Sequence, residues 1–320
     1  MQDLKIASAQ FEHKSGDKKY NLSIIAKMAS KAAKSGAAVC AFHESSITGH
    51  TFAARLSHAE MLELAEIIPD GESVKSLIQI ASENNITLLA GLFEKTANDD
   101  LYKAYICVDS SGVIAKYRKL HPFINPYLKA GSEYVVFDLH GWKCGILICY
   151  DNNIIENVRA TTLLGAEIIF MPHATMCTPS TRPGAGFVDK ELWNNRNSDP
   201  TSLRIEFDGL KGKSWLMKWL PARAYDNGIY VVFSNPIGID DDQLRNGKSM
   251  IIDPFGDILA ECNSFENELA IANCTHSKLA NSGGYRYKNA RRPDLYRNII
   301  GQEHESLQKV AWLQPTSLVK

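Results

Sequence analysis

The chain has 320 residues, of which 45% are hydrophobic, and its formal net charge is −1. This composition is typical of a globular protein with a full core, and the near-zero charge argues against a nucleic-acid or membrane partner. The apolar runs are strand-length, well short of the roughly 20 residues of a membrane helix, and we expect no secretory signal. The seven cysteines match no disulfide framework and no zinc pattern, which favours free thiols in a reducing cytoplasm.

Strand-like and helical patterns alternate along the chain. Helix spacing covers 21–34, 73–83 and 152–164, and strand-like runs cover 4–10, 86–92, 102–108, 113–118, 135–139, 143–149, 166–171, 229–233 and 249–253. No linker or repeat divides the chain, so the patterns alone predict an α/β fold with mixed sheets. The segment 177–219 is the least regular part, and it fits a lid or substrate wall and a surface insertion equally well.

One cysteine stands at the end of an apolar run. Cys149 closes the segment 143–149 and is followed at once by Tyr150, Asp151 and two asparagines, after which helix spacing begins. A thiol between a strand end and a helix start has backbone N–H groups directed towards it, and this dipole favours the thiolate. For a lone strand cysteine, a buried core position is the simpler interpretation.

Two charged residues follow other strand-like runs. Glu44 comes after the run 37–42, and Lys119 comes after 113–118. Because polar side chains at the carboxyl ends of parallel strands gather in one crevice, we expect both residues to lie near Cys149. Each alone is more typical of a solvated strand end, but together the three supply a base, a cation and a nucleophile.

Three separated motifs around these residues resemble those of the nitrilase superfamily of carbon–nitrogen hydrolases, which uses a Glu-Lys-Cys triad. They read FHE at 42–44, YRKLH at 117–121 and CGILICYD at 144–151. The resemblance continues through 4–10, 221–227, 234–236 and 247–254, and so extends from about residue 4 to about residue 297. The Cys-Tyr-Asp sequence resembles the amidase or N-carbamoylase branch, whereas true nitrilases tend to carry Cys-Trp-Glu.

The resemblance implies a four-layer α-β-β-α sandwich of mixed sheets and at least a homodimer. It implies one carbon–nitrogen hydrolase domain over 1–297, followed by a C-terminal tail, 298–320, that either crosses to a neighbouring subunit or is loose. The helix after the cysteine is a candidate for the two-fold interface, because an isologous contact would bury its broad apolar arc of Ile154, Ile155, Val158, Leu163 and Leu164.

The resemblance also assigns catalytic roles. Cys149 would attack an amide carbonyl to form a thioester, Glu44 would move the protons, and Lys119 with the backbone N–H of Tyr150 would hold the oxyanion. The predicted enzyme is a cytoplasmic hydrolase of a small linear amide or N-carbamoyl compound and needs no metal or cofactor. The alternatives are a nitrilase or acyltransferase of the same fold, and a non-catalytic binding or scaffold protein on a degenerate hydrolase fold.

One departure from the family concerns a second glutamate, which amidases and carbamoylases generally carry a few residues after the lysine. The stretch 120–129 contains no acid, and Glu133 is predicted to be a surface residue. Asn125 and Tyr127 are the candidates for the missing position. Together with Tyr150 and His173 they form the predicted substrate-binding set, while substrate choice, and even activity, depends on what replaces the glutamate.

The neighbouring histidines and arginines carry weaker predictions. His173 fits a pocket wall or a loop anchor, because a Cys-His pair would require a different, papain-like fold. His43 and His121 are expected to pack behind the site, since adjacent side chains of an extended segment point to opposite faces. No arginine can be assigned to a substrate carboxylate from the sequence; those considered are Arg159, Arg182 and Arg196.

Overall fold

A computed structural model describes residues 2–175, 177 and 186–302. The strands are β1 (Leu4–Gln10), β2 (Val39–Ala41), β3 (Thr87–Lys95), β4 (Leu101–Asp109), β5 (Gly112–Arg118), β6 (Val135–Leu139), β7 (Trp142–Ile146), β8 (Ile168–Pro172), β9 (Tyr230–Ser234), β10 (Ile237–Asp240), β11 (Gln243–Asn246), β12 (Met250–Ile252), β13 (Ile258–Glu261) and β14 (Glu268–Cys274). The helices are α1 (Lys18–Lys34), α2 (His58–Leu64), α3 (Glu72–Asn84), α4 (Ile155–Leu163), α5 (Lys190–Asn194), α6 (Pro200–Asp208), α7 (Lys213–Leu216), α8 (Leu220–Asn227), α9 (His276–Asn281), α10 (Gly283–Asn289) and α11 (Pro293–Ile300). Short 3₁₀ turns cover Thr51–Arg55 and Cys149–Asn153.

Two six-stranded sheets carry the fold. Their strand orders are β14-β1-β2-β3-β4-β5 and β13-β12-β9-β8-β7-β6, and β10 pairs with β11 in a separate hairpin. In each sheet the central three strands run parallel, namely β1-β2-β3 and β7-β8-β9, and the flanking pairs are antiparallel. The parallel strands therefore bring several carboxyl ends to one edge, where polar side chains gather.

Two apolar layers separate the elements. One lies between the sheets and joins residues such as Ile6, Tyr105, Ile146 and Phe170. The other lies between the first sheet and the apolar faces of α1 and α3, around residues such as Ile25 and Leu77. On the other side, α4 packs against α8, which contacts β9. The predicted four-layer α-β-β-α sandwich of mixed sheets is confirmed.

The segment 177–219 differs from its prediction. Within the described residues 186–219 it forms three short helices, and Trp193, Leu203 and Phe207 join the core between the sheets. Asp189 and Asp199 cap α5 and α6 through their side chains, which compensates for the shortness of these helices. In the described residues 190–216 this part is thus more regular than predicted, and the choice between a lid and a surface insertion stays a prediction. Residues 178–185 lie outside the described part of the chain.

Two predicted boundaries also shift. The strand expected over 143–149 ends at Ile146, and the helix expected from 152 begins at Ile155, because the 3₁₀ turn Cys149–Asn153 lies between them. Val158 is fully buried against the core, so the outward apolar arc of α4 is narrower than predicted. The helix α11 spans the predicted domain end at 297, which stays a prediction, and most of the tail 298–320 lies outside the described residues. No helix in the described ranges is long and apolar enough to cross a membrane.

Candidate active site

The structure brings the ends of β2, β5 and β7 to one buried cluster. The carboxylate of Glu44 accepts a hydrogen bond from Lys119, with 2.6 Å between Oε1 and Nζ, and the Nζ of Lys103 lies 3.1 Å from the same oxygen. The three side chains are each 1% exposed. Among the described residues, the second oxygen of Glu44, Oε2, is buried without a hydrogen-bond partner.

The charges of this cluster determine the protonation states of Glu44 and Lys119 in the absence of substrate. Burial raises the pKa of Glu44, but the ammonium groups of Lys103 and Lys119 outweigh burial and hold that pKa well below its usual value. Burial lowers the pKa of Lys119, but the charges of Glu44, Cys149 and Asp151 raise it above its usual value. Glu44 is therefore a carboxylate and Lys119 an ammonium at neutral pH, which suits a proton acceptor beside a fixed cation.

Cys149 opens the 3₁₀ turn with a φ of +50°, a left-handed conformation that is uncommon for a residue with a Cβ and is often found at functional sites. Burial raises the pKa of its thiol to about 12, and the charge of Glu44 adds to this effect. Lys119, the backbone N–H of Ala174 and Lys103 oppose it more weakly. The expectation that the helix dipole favours a resting thiolate is wrong, because desolvation dominates. The thiol needs a proton acceptor to become a nucleophile.

The turn that carries Glu44 is shaped by close backbone contacts. The N–H of Glu44 donates to the carbonyl of His173 over 3.1 Å, and Ser45 adopts a left-handed φ of +53°. A Cβ at Gly91 would stand 2.4 Å from the Ser45 nitrogen, so β3 needs a glycine where this turn crosses it. The hydroxyl of Tyr105 donates to the carbonyl of Phe42 and holds the preceding residues. These contacts aim the carboxylate at the cluster.

Asp151 ties the lysine segment to the cysteine turn. Its buried carboxylate accepts hydrogen bonds from the hydroxyl of Tyr117, from the backbone N–H groups of Leu120 and His121, and from that of Ile148. The Nδ1 of His121 lies 2.9 Å from the same carboxylate. One carboxylate thus fixes the segment on both sides of Lys119 relative to Cys149, a role that the sequence did not indicate.

Replacing Asp151 by asparagine tests this connection. An amide keeps the shape but presents two donors where the carboxylate only accepts, so some of the surrounding N–H and O–H groups lose their partner. We expect the free energy of unfolding to fall by about 2 kcal/mol and kcat to fall by about 10- to 100-fold. Urea denaturation and steady-state kinetics measure both. Asp138→Asn, which breaks an exposed ion pair with Lys143, should change neither, and equal effects of the two variants would contradict this role.

Two of the predicted substrate-binding residues lie beside the cluster. His173 is buried, its Nε2 is 3.3 Å from the amide Nδ2 of Asn152, and its ring packs between Trp219 and Phe233. Burial lowers the pKa of His173 to about 3, so the ring is neutral. Tyr150 follows the nucleophile directly, and its ring meets those of His121 and Phe123 edge-on. His173 therefore anchors the loop through its main chain and forms a wall through its ring.

The other two have different contacts. The amide of Asn125 donates to the carbonyls of Ala53 and Leu56, and its Oδ1 accepts from the N–H of Tyr127. Its hydrogen bonds thus hold a loop, and a substrate contact through this amide would break them. The Tyr127 ring is 45% exposed and packs on His58. In the described part of the chain, the hydrogen bonds and ring contact of these two side chains join them to residues other than Glu44, Lys119 and Cys149. Glu133 is exposed as predicted.

The histidine and arginines that the sequence analysis considered make contacts with main-chain carbonyls where the structure describes them. His43 is buried behind the site, with Nδ1 3.0 Å from the Glu44 carbonyl and its ring against Phe11, as predicted. Arg159 donates to the carbonyl of Asp226, and Arg196 to that of Trp193. Arg182 lies outside the described residues.

Sequence reasoning missed three residues that border the cluster. Lys103 lies in β4 and His50 lies before the first 3₁₀ turn, with 2.7 Å between Nζ and Nδ1. Arg223 of α8 donates to the carbonyls of Asn152 and Asn153 and so fixes the turn that begins at Cys149. A signal for Lys103 was present, since a lysine at the position that alternates with Tyr105 is unusual on a buried strand face.

The chain is similar to known proteins over most of its length. The chain matches the carbon–nitrogen hydrolase family over residues 5–282. It is 28% identical over 272 residues to a nitrilase from Pyrococcus abyssi, covering 84% of this chain and 88% of that protein. It is 27% identical over 267 residues to an (R)-stereoselective amidase from a Pseudomonas species, covering 82% of each.

Solved structures show the same fold. An amidase of the nitrilase superfamily from Nesterenkonia sp. AN1 superposes with a TM-score of 0.69, covering 92% of this chain and 96% of that chain at 22% identity. At this identity the likeness supports the fold alone, while the family match covers most of the chain. The resemblance drawn from the three motifs is confirmed, and the chain belongs to the carbon–nitrogen hydrolase family, within the nitrilase superfamily.

Proposed function

We propose that the protein is a cysteine hydrolase that cleaves the C–N bond of a small amide through a thioester, with Cys149 as nucleophile, Glu44 as proton carrier and Lys119 as oxyanion stabiliser. The observation that carries the proposal is the state of Glu44. Its Oε1 is held by two ammonium groups, while Oε2 is buried with no partner among the described residues. A carboxylate oxygen is thus available next to a thiol that burial keeps protonated.

The first half-reaction forms the acyl-enzyme. The thiol proton passes to Oε2 of Glu44 as Sγ attacks the carbonyl carbon, and the C=O electron pair moves onto the oxygen. Lys119 and the backbone N–H of Tyr150 stabilise that oxyanion. When the oxyanion collapses, the C–N bond breaks and Glu44 returns its proton to the nitrogen, which leaves as ammonia or an amine.

The second half-reaction consumes water. A water molecule gives a proton to Glu44 and attacks the thioester carbon, which restores an oxyanion at the same position. The C–S bond then breaks, Sγ takes the proton back from Glu44, and the acid is released. Glu44 thus acts alternately as base and acid, a role for which general acid–base catalysis typically contributes about 10²- to 10⁴-fold.

Among the carbon–nitrogen substrates of the family we propose a linear amide or N-carbamoyl compound. The Cys-Tyr-Asp sequence at 149–151 supports this choice. Because one relative is a nitrilase, nitriles are also included among the compounds to be tested. A panel of small amides, N-carbamoyl amino acids and nitriles, with ammonia release as readout, tests it. Hydroxylamine in the same assay converts an acyl-enzyme to a hydroxamate and reveals transfer as well as hydrolysis.

The outcomes of the panel separate the alternatives. Turnover of amides or carbamoyl compounds with hydroxamate formation supports the proposal, and turnover of nitriles alone contradicts the substrate class. No turnover and no hydroxamate with any compound of the panel indicates a binding protein on a hydrolase fold. Cys40, Cys107, Cys144, Cys149, Cys262 and Cys274 are free thiols, and from these we propose a reducing, cytoplasmic setting.

We also propose that the protein forms a homodimer across α4 and its neighbours. Exposed apolar residues lie on or next to four helices of this region, namely Ile155 and Leu163 on α4 with Leu164 directly after it, Tyr225 on α8, Tyr285 and Tyr287 on α10, and Leu295, Ile299 and Ile300 on α11. The helix α8 contacts both α4 and α10. Exposed apolar residues on packed helices favour an isologous contact, which buries the same surface twice.

Light scattering tests the assembly. We expect twice the chain mass of 35.5 kDa for the wild type, and a shift towards monomer for Ile155→Glu, which puts a charge on the proposed interface. The matched control is Lys27→Glu, an exposed position on α1 away from α4, which should stay dimeric. A wild-type monomer with full activity at micromolar concentration would contradict the dimer.

A further inference from the structure

A second buried lysine lies next to the Glu44–Lys119 pair. Lys103 stands in β4 opposite Phe93 of β3, and its ammonium is 5.2 Å from the centre of that ring. Alternation along β4 places it on the same face as Tyr105 and Cys107, which pack in the core between the sheets. An ammonium on such a face has lost its water, and the loss is costly unless protein groups replace it.

The partners of Lys103 belong to the candidate active site. Its Nζ lies 3.1 Å from Oε1 of Glu44 and 2.7 Å from Nδ1 of His50. Burial and the charge of Lys103 lower the pKa of His50 well below its usual value, so the ring is neutral and Nδ1 accepts the hydrogen bond. The carbonyl of Lys103 also accepts from the N–H of Lys119 over 2.9 Å. The two lysines are therefore adjacent and share one carboxylate oxygen.

The charges that face Lys103 come from several elements. Glu44 follows β2, Lys119 follows β5, Cys149 follows β7, and the neutral ring of His50 completes the set. Burial lowers the pKa of Lys103 to about 8, the charge of Glu44 opposes this, and that of Lys119 adds to it. At neutral pH the cluster thus contains two ammonium groups and one carboxylate. The net charge of the cluster is then one positive unit, which ionisation of the Cys149 thiol would neutralise.

We propose that Lys103 is a positioning residue of the reaction, a second lysine that holds Glu44 jointly with Lys119 and adds positive charge beside the Cys149 thiol. This inference rests on the proposed function, because it concerns the same triad. By occupying Oε1 together with Lys119, Lys103 leaves Oε2 to take the thiol proton. Its charge opposes the effects of burial and of Glu44 on the thiol, so more thiolate forms at a given pH.

Alkylation of Cys149 by iodoacetamide across pH 6–10 tests the inference in the full-length protein, with the modified residue identified by mass spectrometry. Removing a neighbouring cation disfavours the thiolate. At pH 7 we expect Lys103→Met to lower the alkylation rate constant by about tenfold. Lys103→Arg, which keeps the charge, should stay within about threefold of wild type. Lys103→Gln keeps a donor for Glu44 without the charge, and should behave like Lys103→Met.

The pH dependence distinguishes charge from structure. The ratio of wild-type to Lys103→Met rate constants should be largest below pH 8 and decrease above it, because Lys103 then loses its own proton. In amide hydrolysis we expect kcat to fall while KM stays within about twofold, since Lys103 acts through Glu44 and the thiol. If Lys103→Met does not fold, Lys103→Gln and Lys103→Arg give the same comparison.

The test includes a control variant at a second buried lysine and names the results that would contradict the inference. Lys248 is equally buried, with Nζ paired to Asp208 and Asn263 away from the cluster, and Lys248→Met should reduce stability but not alkylation. The inference would be overturned if Lys103→Met and Lys103→Gln are folded and alkylated at the wild-type rate. It would also be overturned if the ratio of the wild-type to the Lys103→Met rate constant does not change with pH. If the wild-type protein turns over no amide, carbamoyl compound or nitrile of the panel and forms no hydroxamate, the proposed function fails instead.

Discussion

Replacing Cys149 by alanine will abolish amide hydrolysis and leave the protein folded. Without the thiol no acyl-enzyme can form, and loss of a nucleophile costs on the order of 10⁴-fold or more in kcat. The side chain is 8% exposed and only one sulfur is removed, so we expect the free energy of unfolding to change by about 1 kcal/mol at most. Ammonia release and urea denaturation measure the two effects.

The matched control is Cys144→Ala. Cys144 lies in β7, five residues before the nucleophile, and is fully buried in the core between the sheets. Its loss should cost about 1 kcal/mol of stability and leave kcat and KM unchanged. Normal hydrolysis by a folded Cys149→Ala protein would refute the proposed nucleophile, and equal losses in both variants would show that the first result reflects folding.

Replacing Glu44 by glutamine will move hydrolysis and thiol alkylation in opposite directions. Hydrolysis loses its proton carrier, and we expect kcat to fall by about 10²- to 10⁴-fold. Alkylation needs only a thiolate, and the charge of Glu44 raises the pKa of Cys149 whereas Lys119 and Lys103 lower it. Removing the carboxylate should therefore lower the thiol pKa and raise the alkylation rate constant at pH 7 by about tenfold for each pKa unit.

The same change should also reduce stability. Both lysines lose the charge that offsets their burial, and breaking a buried ion pair typically costs about 3–5 kcal/mol. Glu94→Gln is the control, because Glu94 is also a buried carboxylate held by two cations, Lys116 and Arg118. It should reduce stability without changing alkylation. Slower alkylation in Glu44→Gln, or undiminished hydrolysis, would contradict the assignment.

Local patterns along the chain predicted an α/β fold with mixed sheets and pointed to Glu44, Lys119 and Cys149 as candidates, while the family resemblance supplied the four-layer sandwich and the proposed triad. Period-two runs predicted the strands, and the polar residue after each run pointed to the edge where parallel strands end, which is where Glu44 and Lys119 lie. Cys149 was found in the same way, although its strand ends three residues earlier, at Ile146. The side-chain direction of the β4 residues follows the same alternation, so Lys103 was within reach of this reasoning.

Only the tertiary structure decided the electrostatics and the connections. The sequence placed Cys149 at a helix start and so predicted a resting thiolate, but burial and Glu44 together raise its pKa to about 12. Asp151 accepts from residues 31 and 34 positions away, and Asn125 bonds to carbonyls about 70 positions away, which no local pattern records. Hydrophobic periodicity is a property of neighbours along the chain. Desolvation and hydrogen bonding depend on every group that folding brings to an atom, and those groups come from distant parts of the sequence.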